Sequence, residues 1–562
     1  MSKNEKSTKD AIAELKRTFA PITDHVRNSS PVSIIIQLAI ASAVVLFISI
    51  YFALTPLNIY SETTRTVLVL LLALWSLPAI ARKRKDKEWL KSVKEHLINL
   101  PLYLLVLFVS LNVMVSIIGA PIFRASSYRD LITVTDNASF TESVEDYTTM
   151  QIPVVDKALA EKLGDKKLGE DNLGSQYEVG DYYMICHNNN LYWIAPIEYS
   201  GLFKWMDQET SPGYLFINAN DPEDVSLVRR ELKYVDSAFL WDDLQRNNYF
   251  GNLTAWRAGN THLELTDEGD PMFVESVFIN KINYKSGTDI VGIIVTDPTS
   301  GQTTYYDVED APTWINHVQD EDMIVEQLNY WGDYVNGFWN TLFAQKDILN
   351  VSTGINYVYS NGNMYLQTGM TSVGSDESIV GVMMVDMRTK EAMFCRIGGA
   401  TEWAAAQSAV GYEQSMRFTS SDPIMINLDG VPTYFTMLKD EEGLVKRYAY
   451  VNVANYTIVS TAEHQADALT QYKVKINKDD SANNQKTAVF VIRDSVSVVT
   501  GGETYYYMRF LTESGEAVDG VYICPVSVNA NLPFLTFTQK VEITFTESEG
   551  GVYNISKLSM VE

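Results

Sequence analysis

Ala81-Arg-Lys-Arg-Lys-Asp-Lys-Glu-Trp-Leu-Lys-Ser-Val-Lys-Glu-His96 packs seven Lys and Arg residues between two long apolar runs. A short basic connector of this kind stays on the cytoplasmic side of a bilayer, so the runs that flank it read as membrane spans. Thr66 to Ile80 precedes the connector, and Leu97 to Phe123 follows it. Pro31 to Leu54 is a third run without charge, with Gln37 as its only large polar group, and is long enough to cross the hydrocarbon core. Its length and the two spans behind it argue against a cleaved signal peptide. Residues 1–31 carry Lys3, Lys6, Lys9, Lys16, Arg17 and Arg27, whereas Thr55 to Arg65 holds only Arg65. The expected layout is a cytoplasmic tail (1–31), a three-helix transmembrane anchor (32–123) and an extracytoplasmic region (124–562). Ionisable side chains inside spans mark transport or proton paths. Here there are only Gln37, Asn112 and a few Ser, so the spans read as an anchor. Asn112 is either an interhelical hydrogen-bonding group or a tolerated polar residue.

A formal charge of −26 would suit a disordered acidic chain, but 46% hydrophobic and 11% aromatic residues make a folding composition. The acid is therefore surface. It argues against nucleic acid as a partner, because binding phosphates needs a basic face and the basic residues concentrate in the tail and in one loop. Cys186, Cys395 and Cys524 are odd in number and far apart, which indicates neither a disulfide framework nor a zinc site.

Residues 124–175 begin with a polar stretch and read as a juxtamembrane stalk or cap. Beyond them the chain repeats. Ile290 to Trp314 aligns without a gap on Ile379 to Trp403, with Ile, Val, Gly, Asp, Ala and Trp identical and the apolar positions in agreement. The shared pattern is an apolar strand, a turn opened by Asp297 or Asp386, a second alternating strand, and a helix with Trp314 or Trp403 in its first turn. Another strand precedes each copy, at Gly269 to Phe273 and Gly362 to Tyr365. Two partial copies extend the series. Asn190 to Ala195 leads to Gly213 to Asp221 and a helix Pro222 to Lys233; Gly430 to Phe435 leads through Asp440 to Gly443, Tyr448 to Ser460 and a helix from Ala462 to about Lys473.

This strand-hairpin-helix unit, with its Asp-x-x-x-Gly turn from Asp297 to Gly301, resembles the PepSY domain of bacterial pro-regions and envelope proteins over roughly residues 176–475. The resemblance implies tandem non-catalytic α+β repeats of a kind credited with inhibiting or regulating an extracytoplasmic peptidase or sensing a partner. Lys390 departs from it by standing where the turn Gly belongs. The whole chain also looks like bacterial multi-pass membrane proteins with large outer domains, a likeness that carries no activity. Residues 476–562 change period to five short alternating strands with Gly-rich turns, which predicts a C-terminal β domain, an OB-like barrel or a sandwich.

Catalytic signatures are missing from this pattern. His187, His262, His317 and His464 include no H-E-x-x-H and no two near neighbours, which disfavours a zinc peptidase. Cys186 and His187 are adjacent, and neighbours on a strand point to opposite faces. Gly174-Ser175 lacks the flanks of a nucleophile elbow. Asn218, Asn220, Asp221, Glu223 and Asp224 gather oxygen ligands suited to calcium, but Asp221 as cap before Pro222 reads better as a helix start. Trp331 to Trp339 could stack on sugars, although helical spacing favours core. No catalytic, cofactor-binding or metal residue is assigned. The expectation is a membrane-anchored, extracytoplasmic, non-catalytic binding, regulatory or scaffold protein of the bacterial cell envelope. Its partner would be an envelope or membrane protein or a cell-wall polymer, with no nucleic acid and no cofactor, and with the lipid bilayer engaged through three spans. The competing expectation is an envelope peptidase or cell-wall hydrolase with an unrecognised site.

Overall fold

The computed structural model describes residues 30–81, 93–136, 138–144, 153–360, 362–374, 378–480, 486–500, 503–529, 531–548 and 552–561. Most of the basic connector and of the N-terminal tail lies outside them. Three helices come first: α1 (Pro31–Phe47), continued by a wider turn at Ile48–Phe52, α2 (Glu62–Ala81) and α3 (Val93–Ile118). Each is long and apolar enough to cross a membrane, over Pro31–Phe52, Glu62–Ile80 and His96–Ile118. Ile36, Ile40, Val106 and Leu107 are exposed on them, a surface that suits lipid and not water. Asn112 gives its Nδ2 hydrogen to Phe108 O one turn back, at 2.8 Å. The contact between helices falls instead to Trp75 Nε1 and Ser42 Oγ, at 2.9 Å.

After α4 (Pro121–Arg129), strand β1 (Val134–Asp136) and α5 (Lys157–Glu170), the chain builds four sheets in succession. The first holds β2 (Tyr177–Val179), β3 (Tyr183–His187), β4 (Asn190–Tyr199), β5 (Ser211–Asn218) and β6 (Val225–Leu232); α6 (Leu202–Asp207) interrupts it and α7 (Leu244–Gly251) follows it. The second holds β7 (Trp256–Leu265), β8 (Pro271–Asn283), β9 (Ser286–Thr296) and β10 (Thr303–Asp307), followed by α8 (Glu321–Asp333) and α9 (Phe338–Leu342). The third holds β11 (Leu349–Ser360), β12 (Asn363–Ser372), β13 (Ser378–Asp386) and β14 (Ala392–Cys395), then β15 (Gly399–Ala400) and α10 (Glu402–Tyr412). The fourth holds β16 (Thr419–Ser420), β17 (Ile424–Leu428), β18 (Val431–Lys439), β19 (Val445–Asn452) and β20 (Val459–Ala462), followed by α11 (Gln465–Asp480).

Each sheet is at heart a four-stranded antiparallel meander, β3 to β6, β7 to β10, β11 to β14 and β17 to β20. Runs such as Ile293 to Val295 and Val382 to Val385 are apolar at consecutive positions because these strands are buried on both faces. The sheets also join one another in order. Asn316 accepts from Cys186 N at 3.1 Å between the first and second, and Val318 N reaches Met387 O at 3.0 Å between the second and third. Gln367 and Met425 exchange two hydrogen bonds of 2.9 Å between the third and fourth. The circle closes through α5, which packs on β5 and β6 while its cap Asp156 pairs with Lys439 of β18. One apolar core holds residues of all four sheets. The arrangement is that of a small four-bladed propeller.

Several expectations change. The stretch Pro222 to Lys233 holds a turn and strand β6 (Val225–Leu232) and not a helix. Asp221 Oδ1 accepts from Glu223 N at 2.9 Å in a hairpin turn, and β6 pairs with β5 from Ile217–Val225 onward. The same Asp-Pro signal can open a turn or a helix, and pairing with β5 decides. Trp314 sits in a turn at Pro312 to Ile315, and its helix starts only after the cap Asp320, whose carboxylate accepts from Met323 N at 2.9 Å. The described residues of the stretch read as a stalk or cap, 124–136, 138–144 and 153–175, take up regular structure and pack on the sheets. Strand β1 adds in parallel to β14, Phe140 and Val144 enter a core, and α5 closes the circle. Each meander also has one strand more than the expected unit.

The repeat itself maps onto equivalent third and fourth strands. Gly301 N donates to Asp297 O at 2.8 Å and Lys390 N to Asp386 O at 2.9 Å; Gly301 and Lys390 have φ of +75° and +64°. Gly292 and Gly381 match as well. A Cβ there would collide with Tyr306 O at Gly292 and with Cys395 O at Gly381, beside the rings of Tyr305 and Phe394. The C-terminal strands β21 (Lys486–Thr500), β22 (Glu503–Leu511), β23 (Val521–Pro525), β24 (Lys540–Ser548) and β25 (Val552–Met560) close a barrel in the order β21-β22-β23-β25-β24, which excludes the sandwich.

Candidate functional site

The first strands of three meanders, β3, β7 and β11, meet at a cavity of about 220 Å³ with the segment Gln319 to Asp322 across one side. Its lining is Tyr183, Asn260, His262, Ser276, His317, Gln319, Asp320, Glu321, Asp322 and Tyr357, with no Lys or Arg. Tyr183 and His262 lie 5.3 Å apart between ring centroids, His262 and His317 5.9 Å, and His317 and Tyr357 4.9 Å edge to face. The two histidines are 55 residues apart in the chain but near in the fold because β7 carries one and the linker behind the second sheet carries the other.

Glu264, two residues past His262 and therefore on the same face of β7, holds that linker in place. Its carboxylate accepts from Asn316 N, His317 N and Asn316 Nδ2, each at 2.9 Å. Burial pushes this carboxyl up to about 7 against the pull of those donors. His317 gives its Nε2 hydrogen to Met184 O at 2.7 Å, and burial holds it neutral, below its ordinary value. His262 is only 8% exposed and its Nε2 has no hydrogen-bond partner, Glu264 Oε1 being 3.7 Å away. Burial, and next to it His317, push its pKa down to about 3. Tyr357 donates its hydroxyl hydrogen to Glu321. Burial, with Asp181, Asp236, Asp320 and Glu321 around it, lifts Tyr183 to about 12.

The chemistry offered is acceptance of positive charge. Carboxylates and two tyrosines face the space and no Lys or Arg among the described residues lines it, while Ser276 gives its hydrogen to Val318 O at 3.0 Å. Among the described residues no group of three or more His, Cys, Asp or Glu is placed to hold a metal. The residues singled out in the sequence fall elsewhere. His187 contacts Asn188 in a hairpin, and burial raises the Cys186 thiol. Asn218 to Asp224 form a surface turn in which Asn218 Nδ2 donates to Asp224 at 3.2 Å. Trp331 packs on Phe394 in the core, whereas Trp339 is exposed and stacks on Phe343. The local signal that could have found the site is His262-x-Glu264, two ionisable side chains on one face of strand β7.

No protein family and no curated protein matches the chain. Among solved structures it shows a faint likeness to a thermostable family-43 glycoside hydrolase, at 10% identity and a TM-score of 0.17 over 69% of this chain and 95% of that one. A Cellvibrio cellulosa α-L-arabinanase gives 9% and 0.15 over 68% and 96%, and a Lactobacillus brevis α-L-arabinofuranosidase 9% and 0.15 over 69% and 96%. Likenesses this low carry no argument about fold or activity.

Proposed function

We propose that this is a membrane-anchored binding or regulatory protein of the bacterial cell envelope, with residues 124–562 outside the cell and no catalytic activity of its own. The observation that carries the reading is the cavity: acidic and aromatic, without Lys or Arg, and edged by a buried imidazole nitrogen with no partner. Such a space suits a cationic head on an apolar stem, held by carboxylates and by tyrosine faces. Its volume fits a side-chain-sized group, so the ligand is an ammonium or guanidinium group, either the end of a Lys or Arg side chain on a partner protein or a small free polyamine. Regulation of an envelope peptidase, as the PepSY resemblance implies, is compatible with a cavity that receives such a side chain.

The test uses the full chain in detergent, with 1,5-diaminopentane and a Lys-rich peptide as probes and 1,5-pentanediol as the uncharged control. The diamine or the peptide binds and the diol does not; which of the two binds tells a free amine from a partner's side chain. Glu321→Gln and Asp322→Asn each weaken binding about tenfold, the scale of one charge-assisted hydrogen bond. Equal affinity for diol and diamine refutes the site. Turnover of peptidoglycan, a peptide or a glycan by the purified chain refutes the non-catalytic reading. Orientation is checked separately, since protease added to cells without an outer barrier removes a C-terminal tag and spares an N-terminal one.

A further inference from the structure

The outer region is tied to the same end of all three spans. Tyr249 gives its hydroxyl hydrogen to Thr55 O at 2.8 Å, Leu57 N donates to Leu253 O at 2.7 Å, and the Arg246 guanidinium lies 4.5 Å from the Tyr51 ring centroid, all just past α1. Arg65 in the first turns of α2 reaches Tyr284 O at 3.1 Å. Lys285 Nζ donates to Ser116 Oγ at 2.7 Å in the last turn of α3, and Tyr128 donates to Gly119 O at 3.0 Å. Among the described residues these contacts join the sheets directly to the ends of the three long apolar helices.

Around these anchor points the protein leaves large apolar side chains uncovered. On one side, α4 starts directly after the third span and exposes Phe123; α9 packs on it and exposes Trp339, Leu342 and Phe343, the last at 78%. On the other side, Trp241 touches Tyr51 edge to face at 5.7 Å, with Leu240 and Phe250 exposed beside it. Trp205 on Phe239, at 5.7 Å, joins α6 to this turn, and α6 exposes Met206 and Phe203, the latter at 81%. Left in water, a patch of this size would be a liability. Aromatic-rich short helices at the level where spans end are what the headgroup–acyl boundary accommodates.

We infer that the outer region is seated on the bilayer, with α6, the Leu240–Trp241 turn and α4/α9 embedded at the lipid interface of the membrane that the spans cross. The occupant of the patch is lipid because the patch is continuous with the ends of the spans. The consequence is that the sheets cannot swing freely, and the cavity is held at a set height and tilt above the surface.

Spin labels at Phe203→Cys and Phe343→Cys, one at a time in a Cys186→Ser background of the full chain in phospholipid nanodiscs, test the inference. Ile40→Cys, exposed in mid-span, is the lipid reference, and Val496→Cys on the barrel is the comparison site. Labels at 203 and 343 are relaxed more by lipid-soluble oxygen than by a water-soluble nickel chelate, with values between the two references. Relaxation by the chelate over oxygen at both sites, while Ile40→Cys still reports lipid, overturns the seating and leaves the spans intact. If Ile40→Cys itself reports water, the spans do not cross the bilayer and the inference falls with them.

Discussion

Lys390 stands in a left-handed turn position that Gly301 fills in the companion repeat, and it keeps that place through its side chain. Its ammonium contacts Asp289 Oδ1 and Leu131 O, while Lys281 takes the other Asp289 oxygen. Asp289 is 2% exposed and Lys390 13% by side chain, against 56% for Lys281. Burial would raise the Asp289 carboxyl, but Lys390 and Lys281 outweigh it and hold it below the ordinary value. Breaking a buried pair by removing one partner costs about 3–5 kcal/mol. Lys281 and the Gln327 amide remain near Asp289, which places Lys390→Met near the lower end, about 3 kcal/mol. Lys390→Gly loses the same pair but regains the left-handed cost of a residue with Cβ, about 1 kcal/mol, for a net loss of about 2 kcal/mol. At roughly 2 °C per kcal/mol for a large domain, thermal melts at pH 7 should fall by about 6 °C and about 4 °C. A folded carboxyl pKa below the unfolded one gives stability that is present above about pH 4 and lost as pH falls further. The gap between wild type and Lys390→Met therefore narrows at pH 3. A Lys390→Gly protein as stable as wild type at pH 7, or a gap unchanged at pH 3, refutes this account.

Gly292→Ala and Gly381→Ala should each lower the melting temperature by several degrees, because in both repeats the new Cβ meets a carbonyl of the neighbouring strand; an unaffected Gly381→Ala would break the equivalence of the two sheets. Asp156→Ala removes the α5 cap and leaves the Lys439 ammonium, 8% exposed, without its carboxylate, so limited proteolysis should open the chain near α5 first, with a loss of about 3 kcal/mol or more. His262, with a folded pKa of about 3 against an unfolded value of about 6.5, makes stability fall as pH drops from 6.5 toward 3; His262→Gln should flatten that slope by up to about 1.4 kcal/mol per pH unit in melts followed across the window, and an unchanged slope counts against a buried neutral imidazole. Burial lifts the Cys395 thiol to about 11, so a maleimide at pH 8 should leave it unmodified in the folded chain and label it after denaturation.

Apolar length and strand period are local properties, and they sufficed for the three long apolar helices, the C-terminal strands and the paired strands that follow Ile290 and Ile379. The Asp297 and Asp386 turns were legible for the same reason, since a turn is made by four or five consecutive residues. What needed the tertiary structure was everything that depends on distant partners. Asp221-Pro222 opens a hairpin and not a helix because β5 offers an edge to pair with. Val134–Asp136 becomes β1 because β14 offers it an edge, and Lys157–Glu170 becomes α5 where it packs on β5 and β6 and its cap Asp156 meets Lys439. Lys390 tolerates its backbone because Asp289, 101 residues away, holds its ammonium. The cavity belongs to this second class: His262, His317, Tyr183 and Tyr357 are scattered along the chain and become one site only when β3, β7 and β11 converge. Burial, which sets the protonation of His262 and Glu264, exists only in the closed circle of sheets.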